Sequence, residues 1–203
     1  IVQGYVHAVA PKGLKGNKIR FSKISVGATE NLIIAACFAK GETILSNCAI
    51  EPEINDLVNF LKKAGCDIKW ISKRKIKIIG VSKIKDTSYA VMFDRIEAGT
   101  YLIAAVLTNG NLTIQNLNPS TIKTEINILK KIGAKIKLKR NSINIIGNSE
   151  IKNINLKTAP YPGFPTDLQA QIMVLLCKAK KSSYIKEDIF ENRFMHVAEL
   201  NRM

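Results

Sequence analysis

Apolar and polar residues alternate along this chain in two rhythms, period two and the longer period of a helix, and the rhythm switches at regular intervals. Residues 1–8 alternate loosely, Pro11-Lys12-Gly13 interrupts them, and 19–24 reads as a second strand. Ser25-Val26-Gly27-Ala28-Thr29-Glu30-Asn31 then precedes a run of helical length at 32–39, which Gly41 stops. A strand follows at 43–47. Glu51-Pro52-Glu53 opens a second helix, with proline suited to the first turn and carboxylates to the positive end of the helix dipole. Ile54, Leu57, Leu61 and Ala64 share one face of that helix, Gly65 ends it, and short strands at 67–71 and 75–79 close on Gly80.

The same order then returns. Phe93-Asp94-Arg95-Ile96-Glu97-Ala98-Gly99-Thr100 leads into a helix at 101–107 stopped by Gly110, and 112–115 is a strand. Ser120 is placed to cap a helix ending in Leu129-Lys130-Lys131-Ile132-Gly133, the counterpart of Leu61-Lys62-Lys63-Ala64-Gly65. Strands at 134–138 and 142–146 close on Gly147, the counterpart of Gly80. Gly41 to Gly110 is 69 residues and Gly65 to Gly133 is 68. A third copy supplies a helix at 167–178, a strand at 183–186 and a helix at 191–203, where the chain stops inside the unit. A unit of strand, helix, strand, helix and two strands has one sheet face, and it buries a core only against sister units. The expected fold class is therefore α/β, a closed cluster of repeated units, with a domain boundary near 80–90. The stop within the third copy, and a start without methionine, give the expectation of a fragment of a longer protein.

The third copy is entered through Thr158-Ala159-Pro160-Tyr161-Pro162-Gly163-Phe164-Pro165-Thr166-Asp167, whose three prolines hold it out of helix and away from sheet pairing. Such a loop aims one carboxylate at the head of a helix. Asp167 equally reads as an ordinary N-cap, as do Ser25 and Thr29 in the first copy.

Composition narrows the function classes. The net charge of +15 raises a nucleic-acid reading, but of 31 basic residues only six are arginine, whose planar fork recognition of phosphate and bases favours. The lysines alternate with isoleucine, as in Lys75-Ile76-Lys77-Ile78 and Lys135-Ile136-Lys137-Leu138-Lys139, which puts them on the solvated face of half-buried strands. Aromatic residues are only 6% and form no alternating stacking cluster, so no nucleic-acid partner is expected. No run approaches the about 18 apolar residues of a membrane span. Cys37, Cys48, Cys66 and Cys177 have no metal-binding spacing and read as core thiols of a cytoplasmic protein, with His7 and His196 far apart in sequence.

Five strings in order are more specific than any of this: Ser-Val-Gly-Ala-Thr-Glu-Asn at 25–31, Glu-Pro-Glu-Ile at 51–54, Asp-Arg-Ile-Glu-Ala-Gly-Thr at 94–100, Phe-Pro-Thr-Asp-Leu-Gln-Ala-Gln at 164–171 and Glu-Asn-Arg-Phe-Met-His-Val at 191–197. Together they resemble the enolpyruvyl transferase family, in the branch that acts on UDP-N-acetylglucosamine at the first committed step of peptidoglycan synthesis. The resemblance implies an inside-out α/β barrel of two domains, with residues 1–92 the C-terminal part of the first and 93–203 the N-terminal part of the second. It implies transfer of the enolpyruvyl group of phosphoenolpyruvate to the 3′-hydroxyl of UDP-N-acetylglucosamine, by addition and then loss of phosphate, without a cofactor or metal.

By the same resemblance Asp167 handles the sugar hydroxyl proton. Lys23, Ile24, Ser25, Val26 and Gly27 match the segment that holds the uridine diphosphate, and Ile189 matches an apolar contact to the same substrate. Backbone N–H groups at a helix start beside a lysine suit an anionic diphosphate. Asp94, Arg95 and Arg193 are candidates for contacts across the domain junction or to phosphate, against plain ion pairing of Asp94 with Arg95 and of Arg193 with Glu191. His196 reads as a packed helix residue. The chain departs from the family pattern at Tyr161, where histidine is usual, and at Lys181, where glycine is usual. The family's acidic cysteine or aspartate, its N-terminal Lys-Asn pair and its C-terminal arginine have no counterpart here, so this chain alone is expected to be inactive. Rival readings are the shikimate-pathway enolpyruvyl transferase and a basic RNA-binding repeat module.

Overall fold

The structure, a computed structural model, describes residues 3–203. It divides into two compact units at Met92 and Phe93. In the first, β1 (Lys18–Arg20), α1 (Val26–Cys37), β2 (Glu42–Ser46), α2 (Pro52–Lys63), β3 (Asp67–Ser72) and β4 (Lys75–Ile79) follow in order. The sheet order is β1-β2-β4-β3. β1 is parallel to β2 because α1 returns the chain between them, and the other pairs are antiparallel. The Lys-Ile alternation of β4 resolves as period two requires: Ile76 and Ile78 are 0% exposed in the core with Ile33, Leu45, Ile54 and Ile68, while Lys75 lies outside.

The second unit repeats the scheme with α3 (Arg95–Leu107), β5 (Asn111–Gln115), a 3₁₀ turn at Pro119–Ile122, α4 (Lys123–Ile132), β6 (Lys135–Lys139) and β7 (Ser142–Ile146). Its antiparallel sheet has the order β5-β7-β6, around a core that includes Leu102, Ile122, Leu129, Ile143 and Ile145. Then come β8 (Asn155–Lys157), a 3₁₀ turn at Thr166–Leu168, α5 (Gln169–Leu176), β9 (Tyr184–Lys186) and α6 (His196–Leu200). β8 and β9 pair in parallel across α5, as β1 and β2 do across α1.

The repeat shows in detail at its closing glycines. The Gly80 N–H donates to the Gly41 carbonyl at 3.1 Å, and the Gly147 N–H to the Gly110 carbonyl at 2.8 Å. A Cβ on Gly80 would lie 1.6 Å from the Ala39 carbonyl oxygen, and one on Gly147 2.7 Å from Asn109 Cα. In both copies the end of the last strand crosses the end of the first helix too closely for any side chain.

Several expectations need correction. The strand expected over 1–8 begins on residues outside those described, and 3–8 hold no named strand. α1 and α3 start six residues before the expected helices, because the strings read as lead-ins are their first turns. Ser120 does not cap: the Asn118 side chain accepts its N–H at 3.0 Å and opens the 3₁₀ turn. The helix expected over 191–203 shortens to α6, no residue of which is buried, and a short helix without tertiary packing does not propagate. β8 was not foreseen. Cys37, Cys48 and Cys66 are buried but Cys177 is exposed, not core. Burial and the hydrogen bond with Cys66 push the Cys37 thiol up to about 12, and burial pushes Cys48 up to about 11. Among the described residues no helix is long and apolar enough to cross a membrane.

Candidate functional site

In the first unit the candidate residues form one continuous turn. Ser25 is extended and its Oγ accepts the Ala28 N–H at 3.3 Å, so it is the N-cap of α1. Thr29 is buried inside the helix; its hydroxyl donates to the Ser25 carbonyl at 2.7 Å and accepts the Ala49 N–H at 3.0 Å, tying the head of α1 to the strand-to-helix link after β2. Ile24 and Val26 pack against the core, while Lys23, Ser25 and Gly27 face solvent. A Cβ on Gly27 would meet nothing within 4 Å, so the surface at this position is open. On the flank of α1, burial pushes the Glu30 carboxyl up, reinforced by the charges of Glu53 and Glu51.

In the second unit Asp167 lies in the 3₁₀ turn that heads α5, between buried Thr166 and Leu168. It caps nothing: the side-chain cap expected of an ordinary helix start is missing at both the turn and α5. Its side chain is 53% exposed, and Oδ1 accepts from Arg193 Nη2 at 3.2 Å. Arg193 thus pairs with Asp167, not with its neighbour Glu191, and its guanidinium stands 5.0 Å from the Phe190 ring centre. Ile189 is half-buried three residues beyond β9. His196 contacts the Met173 sulfur at 3.3 Å, as a packed residue should.

Asp94 and Arg95 do not pair with each other. Asp94 Oδ1 accepts the N–H groups of Ile96 at 2.7 Å and Glu97 at 3.1 Å, as N-cap of α3. Arg95 faces Glu125 of α4 at 3.7 Å, with side chains 7% and 4% exposed, and stacks over the Tyr161 ring at 5.9 Å. Tyr161, where the family usually has histidine, thus neighbours the buried Arg95–Glu125 pair. The Lys181 bend needs no glycine, since Lys181 is not among the residues with positive φ.

The loop at 158–165 is anchored at both ends. Phe164 and Thr158 are buried, the Ala159 N–H donates to the Phe164 carbonyl at 3.0 Å, and the Tyr161–Pro162 peptide is cis. Two organising residues were missed in the sequence. Gly99 of α3 lets Leu168 come so close that a Cβ there would lie 2.5 Å from Leu168 Cδ1. Glu187 accepts from the Thr166 hydroxyl at 2.7 Å and from the N–H groups of Ile189 at 2.7 Å and Phe190 at 3.2 Å. Nothing local in sequence pairs 166 with 187. Among the described residues no cluster of three or more His, Cys, Asp or Glu could hold a metal.

The candidate residues thus fall in two groups, each within its own unit: the Lys23–Gly27 turn at the head of α1 in the first, and Asp167 before α5, paired with Arg193, in the second. Residues 3–203 match the family model described as EPSP synthase (3-phosphoshikimate 1-carboxyvinyltransferase). The chain is 72% identical over 203 residues to a UDP-N-acetylglucosamine 1-carboxyvinyltransferase of Pelagibacter ubique, covering all of this chain and 49% of that protein. It is 50% identical over 202 residues to UDP-N-acetylglucosamine 1-carboxyvinyltransferase 1 of Clostridium acetobutylicum, covering 48% of it. Among solved structures it superposes on the enolpyruvyl transferase NikO from Streptomyces tendae with TM-score 0.78 at 22% identity, over 86% of this chain and 42% of that one. EPSP synthase from Acinetobacter baumannii gives 0.62 at 20% identity, over 92% and 45%. The chain spans about half the length of the curated relatives it matches. With the family model matched across nearly its whole length and the same mixed α/β architecture in both solved neighbours, the chain belongs to the EPSP synthase family of enolpyruvyl transferases.

Proposed function

We propose that this chain supplies half of an enzyme that transfers the enolpyruvyl group of phosphoenolpyruvate to the 3′-hydroxyl of UDP-N-acetylglucosamine, a step of bacterial peptidoglycan synthesis. The observation that carries this is the 72% identity, over every residue of the chain, to a protein named for that reaction. Relatives from Geotalea uraniireducens and Bartonella tribocorum with the same name are 49% and 45% identical, whereas the EPSP synthase structure is 20% identical. Residues up to Met92 are the C-terminal part of one domain and Phe93–Met203 the N-terminal part of the next, in repeated units that close into an inside-out α/β barrel when the enzyme is whole.

In this reading Lys23, Ile24, Ser25, Val26 and Gly27 hold the uridine diphosphate. The head of α1 receives phosphate oxygens and Lys23 adds a point charge. Ile189 gives an apolar contact to the same substrate. Asp167 takes the proton of the 3′-hydroxyl as that oxygen attacks the enolpyruvyl carbon. Arg193 holds Oδ1, which leaves Oδ2 as the accepting oxygen and fixes the carboxylate plane. The cations that grip phosphoenolpyruvate and the acid that protonates its methylene carbon come from the rest of the enzyme.

The test is Asp167→Asn in the full-length enzyme. Turnover is expected to fall by about 10²-fold or more, the usual worth of a general base, with KM for UDP-N-acetylglucosamine changed by no more than about threefold. Near-normal turnover removes Asp167 from the chemistry. Assaying the unsubstituted enzyme with shikimate 3-phosphate in place of the sugar nucleotide decides the acceptor, and turnover of that acceptor alone overturns the reading.

A further inference from the structure

Glu187 stands at a junction that the reaction does not itself require. Its Oε2 accepts from the hydroxyl of Thr166, the residue before Asp167, at 2.7 Å. Its Oε1 accepts the N–H groups of Ile189 and Phe190 at 2.7 Å and 3.2 Å. Thr158, at the mouth of the proline-rich loop, is tied to the residue before Glu187: its N–H donates to the Lys186 carbonyl at 3.0 Å, and its hydroxyl reaches the same oxygen at 3.5 Å. Burial pushes the Glu187 carboxyl up, but these donors outweigh it and hold the group below its ordinary 4.5. One anion thus joins the loop that ends in Asp167 to the segment that carries Ile189. The circuit closes on the far side, where Arg193 reaches Asp167 at 3.2 Å and covers the Phe190 ring at 5.0 Å.

We infer that Glu187 is a positioning residue: it fixes the carboxylate of Asp167 relative to the 189–193 segment, so that the proton acceptor and the surface that receives the sugar nucleotide move as one body. This rests on the function proposed above for Asp167 and Ile189. The role is geometric. Glutamine can fill it, because its amide oxygen accepts the same two N–H groups and its amide NH₂ donates to a Thr166 hydroxyl that has rotated to accept. Alanine cannot, and it leaves two backbone N–H groups and a hydroxyl without their acceptor.

The experiment compares Glu187→Ala, Glu187→Gln and Thr166→Val in the full-length enzyme. For Glu187→Ala, kcat is expected to fall by about tenfold or more and KM for UDP-N-acetylglucosamine to rise, with KM for phosphoenolpyruvate unmoved, since small misplacements of a reacting group are costly. Glu187→Gln is expected to restore most of the loss. Thr166→Val, nearly the same shape without the donor, is expected to lower kcat in the same direction and serves if the alanine variant does not fold. Amide hydrogen exchange is expected to speed up at Ile189 and Phe190 in Glu187→Ala while the turn at 23–27 is unchanged. Unchanged kinetics in both Glu187→Ala and Thr166→Val overturn the inference, as does a glutamine variant as damaged as the alanine one. An unsubstituted enzyme that ignores UDP-N-acetylglucosamine defeats the functional reading instead, and the exchange measurement then still decides whether Glu187 braces the loop.

Discussion

At the scale of single residues, the family strings turn out to mark contacts whose reasons lie elsewhere in the chain. Gly99 sits in the string Asp94 to Thr100, yet what it serves is Leu168, whose Cδ1 would lie 2.5 Å from any Cβ placed there. Leu168 is fully buried and adjoins Asp167, so a methyl group at 99 must displace the Leu168 side chain beside the carboxylate. Gly99→Ala is expected to cost about 1–3 kcal/mol by overpacking, despite alanine's better helix propensity. Turnover is expected to fall by more than the loss of folded protein explains. Thermal unfolding and kcat at a temperature well below the transition separate the two; a stabilised, fully active variant would refute the argument. Asp94, Arg95 and Asp167 were each legible as charged residues at helix starts, but their partners were not. Asp94 caps, Arg95 pairs across to Glu125, and Asp167 does not cap at all. Local propensity treats these three positions alike, and only tertiary contacts distinguish them.

At the scale of elements, the strands β2 to β7 and the amphipathic helices α2 and α4 were legible to within a few residues. One side of each meets a core and the other meets water, which writes a period into the sequence. α1 and α3 were placed late because they are apolar nearly all round or begin with Gly, Thr and Asn, which weaken the signal. The strip after β4 has no period of its own, and α2 holds it down. Tyr89 OH donates to Asp56 Oδ1 at 2.9 Å, the Met92 N–H to Asp56 Oδ2 at 3.3 Å, and Lys63 Nζ to the Ser88 carbonyl at 2.6 Å. The Tyr89 ring also meets Phe60 edge-on at 5.6 Å. Asp56→Ala therefore removes two acceptor contacts at once. Exchange of the amides near 88–92 is expected to accelerate, while those of β2 and β4 hold, at a cost of about 1 kcal/mol per lost bond. Equal acceleration in the sheet would mean that Asp56 supports the whole unit and not the strip.

At the scale of the molecule, the charge of +15 is the property most open to misreading, and the structure shows where it goes. Arg74, Arg95, Arg193 and Arg202 all have partners within their own units: the Cys48 carbonyl, Glu125, Asp167 and Glu199. Lysines pair at Lys77–Glu42, Lys180–Glu150 and Lys157–Asp188, and others stand in period two on the outer faces of β4 and β6. Exposed aromatic residues do occur, but Phe38 follows α1, Phe60 lies on α2, Tyr101 on α3 and Tyr184 on β9. No sheet face among the described residues gathers them into a stacking platform of the kind single-stranded nucleic acid needs. The excess charge should then act only as a diffuse field, strong at low ionic strength and screened within about 8 Å at about 0.15 M salt. Titration with labelled single-stranded RNA is expected to show weak, sequence-independent retention at about 50 mM salt that is gone by about 200 mM, following counterion release. Complexes that persist at the higher salt with a preference for one sequence would point instead to a built nucleic-acid site. The residues proposed above to meet the sugar nucleotide, Lys23 to Gly27 at the head of α1 and Asp167 before α5, sit at loop-to-helix junctions and not on the lysine-bearing strands.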